Sequence, residues 1–227
     1  MSDTDSFIEE VTEELRRDNM VKALKRYGWV VAAVLAVIIG GVAWSEYKKA
    51  QERAAAQAVG DGLLAALSED SPEARLKSFD QVQTNGPQAE AVVAFLKASE
   101  QADAGDMTAA AATLQSVIDN NGLALIYRQI AQFKALGLTA ETAPADERRR
   151  GYSDLAQPGS SMRLLAEEQL ALIDIETGDV DAATTKLQNI IDDAESTADL
   201  QQRALQVIVA LGGEPDLSVL QEAQTEN

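Results

Sequence analysis

Residues 28–45 read GWVVAAVLAVIIGGVAWS, a run without a charge in a chain that is otherwise polar and acidic. At about 1.5 Å of rise per residue a helix of this length covers roughly 27 Å, close to the hydrocarbon thickness of a bilayer. Tyr27 and Trp29 stand at one end, Trp44 and Tyr47 at the other, where aromatic rings settle at membrane–water interfaces. Lys22, Lys25 and Arg26 precede the run; Lys48 and Lys49 follow it. The pattern predicts a single transmembrane helix over 27–47, with the two ends of the chain on opposite sides of a membrane.

Two other readings fit the run less well. A cleaved signal peptide has a short basic start and a small-residue cleavage site, which Gly41-Val42-Ala43 could supply. Yet the residues ahead of the run include the acids Asp3, Asp5, Glu9, Glu10, Glu13, Glu14 and Asp18. A core helix packed on one side keeps a polar stripe, and this run is apolar on every face. Basic residues near the ends set the direction. Arg16, Arg17, Lys22, Lys25 and Arg26 lie before the run, against Lys48, Lys49 and Arg53 after it. The bias predicts a cytoplasmic N-terminus and an exported C-terminal domain.

Composition narrows the chemistry. The chain has no cysteine and no histidine, which removes disulfides, thiolate nucleophiles, zinc–sulfur sites and every triad built on imidazole. Residues 50–227 hold 29 of the 37 acids and 12 of the 19 bases. A domain this acidic repels nucleic acid phosphates and anionic membrane surfaces. Adjacent acids, as at Glu9-Glu10, Glu167-Glu168 and Asp192-Asp193, point different ways on a helix and read as solvated faces. Gly60-Asp61-Gly62 lacks the spacing and lysine of a P-loop. No catalytic residue, cofactor or metal is expected, and the chain reads as a non-enzyme.

Ahead of the run, Phe7, Ile8, Val11 and Leu15 share one helical face, and Ser6 with Glu9 fits a capping box. Residues 1–26 are therefore read as a cytoplasmic amphipathic segment. No Gly or Pro separates the run from residues 46–59, so the helix is expected to continue beyond the bilayer. From 48 to 213 the chain is rich in Ala, Leu, Gln and Glu, with Gly and Pro as punctuation between helices. Residues 214–227 form an acidic tail.

That punctuation is periodic. First helices are expected to begin near residues 50, 88, 123, 161 and 197, a spacing typical of stacked helix pairs. Residues 105–120 (GDMTAAAATLQSVIDN) and 178–193 (GDVDAATTKLQNIIDD) agree at eight of sixteen positions. Gly105-Asp106 and Gly178-Asp179 mark repeat turns, Gly ending one helix in the left-handed region and Asp capping the next. Ala98, Ala110, Ala171 and Ala183 supply small contacts between helices, and Leu114 and Leu187 are placed in the core.

These residues resemble tetratricopeptide repeats, in divergent form. Ala94 and Glu167 stand at the usual large aromatic site and Gln101 and Asp174 at the tyrosine site. The middle pair is irregular, with an apparent insertion over 139–150. The fold class is accordingly all-α: one transmembrane helix followed by an α-solenoid of divergent tetratricopeptide-like pairs.

The full architecture resembles the YfgM-like family of bacterial inner-membrane proteins, ancillary subunits of the Sec translocon, in its alphaproteobacterial branch. The resemblance rests on FIEEVTEELRRDNMVKALKRYG before the run, on Trp44-Ser45-Glu46-Tyr47-Lys48 after it, and on the repeat domain. It implies a periplasmic repeat domain at the inner membrane. The partners it implies are translocon subunits, a membrane-anchored periplasmic chaperone and client peptides. The alternative is an assembly or structural subunit of a cell-division or respiratory complex. Two further features could meet a partner. Ala32, Ala36 and Gly40 recur every fourth residue in the run, a spacing that lets membrane helices pack closely. Arg148-Arg149-Arg150 is the basic cluster of the acidic domain, read either as a partner contact or as a helix face paired with Glu147 and Asp154.

Overall fold

The computed structural model describes the backbone of residues 3–216; within its first helix, side chains are described at Arg26, Trp29 and Val30 and continuously from Ala33. The described residues form nine helices and no strand. These are α1 Asp3–Leu67, α2 Pro72–Phe79, α3 Pro87–Asp103, α4 Met107–Ile118, α5 Leu125–Leu138, α6 Ala145–Leu155, α7 Arg163–Glu176, α8 Val180–Asp192 and α9 Ala198–Ala210. Two compact units divide the chain, residues 1–57 and 58–227.

The first unit is helical. Its helix starts at Asp3, so Ser6 lies inside the helix and not at its cap; the side chains of the expected capping box lie outside the described residues. Trp29, Val34, Leu35, Val37, Ile38, Ile39, Val42, Trp44 and Tyr47 are exposed. At 100° per residue these positions encircle the helix, so its apolar girth is uncovered within the unit. Part of the expected span (Tyr27, Gly28, Val31 and Ala32) lies outside the described side chains. Among the described residues, no helix is long and apolar enough to cross a membrane.

In the second unit each helix packs chiefly on its neighbours in sequence, from α2 on α3 to α8 on α9. That is the contact pattern of a stacked solenoid. Local chemistry sets the turns. Gly105 and Gly178 adopt φ of +84° and +87°, a region open to Gly because it has no Cβ. The N–H of Asp106 donates to the Gln101 carbonyl, and that of Asp179 to the Asp174 carbonyl, each at 2.8 Å. This is the Schellman closure of a helix C-terminus. Each Asp then caps the following helix: its carboxylate accepts from Ala109 N–H at 2.9 Å and from Ala182 N–H at 3.1 Å. Asp179→Ala is expected to lower stability by about 1 kcal/mol, measured by denaturant unfolding, with Asp179→Asn close to wild type.

The core is segmented along the stack. Ala91, Ala98, Ala110, Leu114, Val117, Leu123 and Ala131 join α3, α4 and α5. Ala171, Ala183, Leu187, Ile190, Ile191, Leu200, Ala204 and Ile208 join α7, α8 and α9. Between them, Tyr152, Leu155, Ala166, Leu170 and Ile173 tie α6 to α7, with Phe133 and Leu136 of α5 alongside. The six positions expected in the core are all buried.

The middle pair departs for a steric reason. Four residues past the N-cap, α4 and α8 carry Ala110 and Ala183, whereas α6 carries Arg148. Eight past the cap, Leu114 and Leu187 are replaced by Tyr152, which meets Phe133 edge-on at 5.6 Å between ring centroids. Arg148 stands where the other pairs have alanine, and α5 touches α6 less extensively than α3 touches α4 or α7 touches α8. Gly151 restores one close approach: a Cβ there would stand 2.5 Å from Leu136 Cδ2. The segment expected as an insertion over 139–150 is therefore a connection over 139–144 and the first half of α6.

Candidate interaction surfaces and the polar hub on α7

α7 carries two buried carboxylates, Glu168 and Asp174. Ion pairs to three neighbouring helices radiate from it. Asp174 accepts from Arg149 of α6 and, at 2.6 Å, from Lys186 Nζ of α8. Glu168 takes both Nε and an η nitrogen of Arg203 of α9, at 2.8 and 3.0 Å. Glu176, at the end of α7, receives Arg148 at 2.6 Å. Arg163 reaches Asp193 at 2.9 Å and Glu195 at 2.8 Å, beyond α8.

The charges fit one another. Burial pushes the Asp174 carboxyl up, but hydrogen bonds from Lys186 and Arg149, with their charges, outweigh it and hold the group below its usual value. The Arg148 hydrogen bond does the same for Glu176. Asp193 is lowered by the Glu195 backbone N–H and by Arg163. These pairs stitch helices together and leave each of these carboxylates paired with a cationic donor, Asp193 and Glu195 sharing Arg163, which is the arrangement of a brace.

Two of these contacts are equivalent in the two similar pairs. Gln101 and Asp174, at matching positions of the first helices, both bond to the residue twelve on. Thr113 donates to Gln101 at 2.7 Å, and Lys186 to Asp174 at 2.6 Å. A polar cross-helix contact thus stands at the site where the repeat usually carries tyrosine. Its signal in the sequence is the twelve-residue spacing of Gln101 to Thr113 and of Asp174 to Lys186.

Arg148 and Arg149 are internal braces between α6 and α7, paired with Glu176 and Asp174 in place of the neighbours Glu147 and Asp154. Arg148 is buried, which its place in the register of Ala110 and Ala183 requires; its Nε also donates to the Ala143 carbonyl at 3.1 Å. Arg150 of the same run is exposed. Ala36 and Gly40 are exposed on α1, while the Ala32 side chain lies outside the described residues. The structure brings Gly105 with Asp106 and Gly178 with Asp179 together as turns, and does not join them to the arginines.

Open depressions lie between helices. One of about 490 Å³ is bounded by Phe79, Val82, Ala94, Lys97 and Thr113. Another, of about 660 Å³, runs along α8 beneath residues 211–216. Among the described residues no cluster of potential metal ligands occurs.

Stacked helix pairs with Schellman–Asp turns define a helical-repeat scaffold, a class that presents extended surfaces to other proteins. The chain belongs to the tetratricopeptide repeat-like domain family, whose model matches residues 24–148. The match takes in residues 28–45 and ends in α6. Comparison with curated proteins and with solved structures gave no significant match. Tetratricopeptide-like domains are in general binding scaffolds for protein partners, and the all-helical fold agrees with that class.

Proposed function

We propose that this protein is a single-pass, membrane-anchored scaffold. Its N-terminus is cytoplasmic, and its repeat domain binds proteins on the periplasmic side of the bacterial inner membrane. The observation that carries this reading is the uncovered apolar girth of α1 in the same chain as a protein-binding repeat domain. Encircling apolar surface of this extent is a cost in water and a gain in hydrocarbon. The basic flanks support the direction of insertion, and the YfgM-like resemblance supports partners at the Sec translocon with periplasmic chaperones and client peptides. The role is to assist export or early folding, without catalysis.

The test is affinity purification of the full chain from membranes in mild detergent, after alkaline extraction. The chain is expected to stay with the membrane and to bring translocon components with it. A Cβ at Gly40 has no neighbour within 4 Å, so Gly40→Leu with Ala36→Leu leaves the chain's own packing intact. The double variant is expected to lose a membrane partner while the repeat domain melts as in wild type. Release of the chain by alkali would sink the anchor. Recovery of a cell-division or respiratory complex instead would replace the translocon.

A further inference from the structure

The groove along α8 is already occupied by part of the chain. α9 ends by the same closure as α3 and α7: Gly212 has φ +82°, and Gly213 N–H donates to the Ile208 carbonyl at 3.0 Å. At the earlier turns an Asp follows and caps a second helix; here Gly213 follows, and Pro215 disfavours helix at Glu214. Residues 213–216 return to α8 instead. The Gln188 side chain meets the backbone of Asp216 reciprocally. Its Nε2 donates to the Asp216 carbonyl at 2.9 Å, and its Oε1 accepts the Asp216 N–H at 3.0 Å. Asp192 holds that amide in place by accepting from the same Nε2 at 3.0 Å.

A primary amide that both donates to and accepts from one residue's backbone reads extended chain irrespective of side chain, as the neighbouring strand of a sheet does. The groove is about 660 Å³ and is bounded on α8 by Val180, Asp181, Thr184 and Thr185. Both threonine hydroxyls donate to carbonyls of their own helix, Val180 and Asp181, at 2.9 Å. With their one proton committed, what these hydroxyl oxygens have left to offer is acceptor lone pairs. On α8, Asp181 adds a carboxylate that stays when residues 213–216 leave, and no Lys or Arg is among the described residues lining the groove.

We propose that this groove binds an extended, basic segment of a partner protein, with residues 213–216 as a resident strap that the partner displaces from Gln188. The inference rests on the protein-binding reading of the repeat domain but not on the identity of the membrane partner. Gln188 supplies the backbone contact, the threonine oxygens and Asp181 supply acceptors for lysine or arginine, and the strap competes for the same amide.

The experiment measures binding of a fluorescent ten-residue peptide of alternating Lys and Thr to the full chain in detergent, by anisotropy. Asp216→Pro removes the N–H that the strap offers Gln188 and leaves Gln188 intact. It is expected to tighten peptide binding about threefold to tenfold, the range of one net hydrogen bond. Gln188→Leu is expected to weaken binding about tenfold while the melting temperature stays close to wild type, and a matching Glu-Thr peptide is expected not to bind. Wild-type binding by Gln188→Leu, or no gain with Asp216→Pro, overturns the proposal. So does a concentration-dependent dimer that Asp216→Pro abolishes, since the occupant would then be a second copy. If the wild-type chain recovers membrane partners but does not bind the Lys-Thr peptide, this groove fails while the scaffold reading stands; if the wild-type chain recovers none, the scaffold reading fails instead.

Discussion

Leu187→Ala is expected to destabilise the repeat domain by about 2–5 kcal/mol, the range for a buried leucine that leaves a cavity behind. Leu187 is fully buried among Ala171, Ala183, Ile190 and Ala204. Those neighbours are held by three helices at once, so the site has little room to collapse. For a domain of this size the loss corresponds to a fall of roughly 5–15 °C in melting temperature. Because solenoid stability is transmitted between neighbouring units, the damage should be unequal. Hydrogen exchange should show protection falling most in α7, α8 and α9, and less in α3 and α4, whose core is a separate cluster. Equal loss in both halves would show that the joint through Tyr152 and Leu155 couples them more tightly than separate core clusters imply.

Asp174→Asn is expected to cost about 1–3 kcal/mol at neutral pH, the scale of hydrogen bonds to charged groups. It falls short of a wholly buried pair because the Arg149 and Lys186 side chains are each 34% exposed and regain water when the carboxylate is lost. The pH dependence has a definite sign. The folded-state pKa of Asp174 lies below its ordinary value of 3.8. Its contribution is therefore complete above that value and lost as pH falls through the folded pKa. Glu176 and Asp193 are shifted in the same direction and add to the loss in the same window. Wild-type stability should thus drop steeply below about pH 4, and Asp174→Asn should show a shallower drop, converging toward wild type in acid. Urea unfolding at a series of pH values reads this directly; parallel curves would mean that the carboxylate has no stabilising charge to lose.

The legible parts of the fold are those written in short-range chemistry. First helices expected at 88, 123, 161 and 197 begin at Pro87, Leu125, Arg163 and Ala198, whereas none begins near 50, which lies inside α1 because no helix breaker separates it from the apolar run. A left-handed Gly, a capping Asp and a small residue four positions later are local signals that need no tertiary information. The middle pair was obscured because Arg148 and Tyr152 hide its register behind bulky side chains. Arg148, Arg149 and Arg150 form a charge cluster whose near acids in sequence are Glu147 and Asp154. The partners of Arg148 and Arg149, Glu176 and Asp174, lie more than twenty residues away. The strap was equally invisible, since Gln188 and Asp216 meet only after α8 and α9 have folded back on each other.

The sequence by itself determined that this chain is helical, repeated in pairs, acidic beyond its apolar run, and without the side chains of imidazole or thiol chemistry. Those properties follow from composition, periodicity and turn residues, each set within a few positions. Tertiary structure alone decided which carboxylates are buried, how α7 is tied to α6, α8 and α9, and that residues 213–216 lie along α8. Such outcomes depend on which distant side chains meet when helices stack. Desolvation then makes every buried charge require a partner, whatever its separation in sequence.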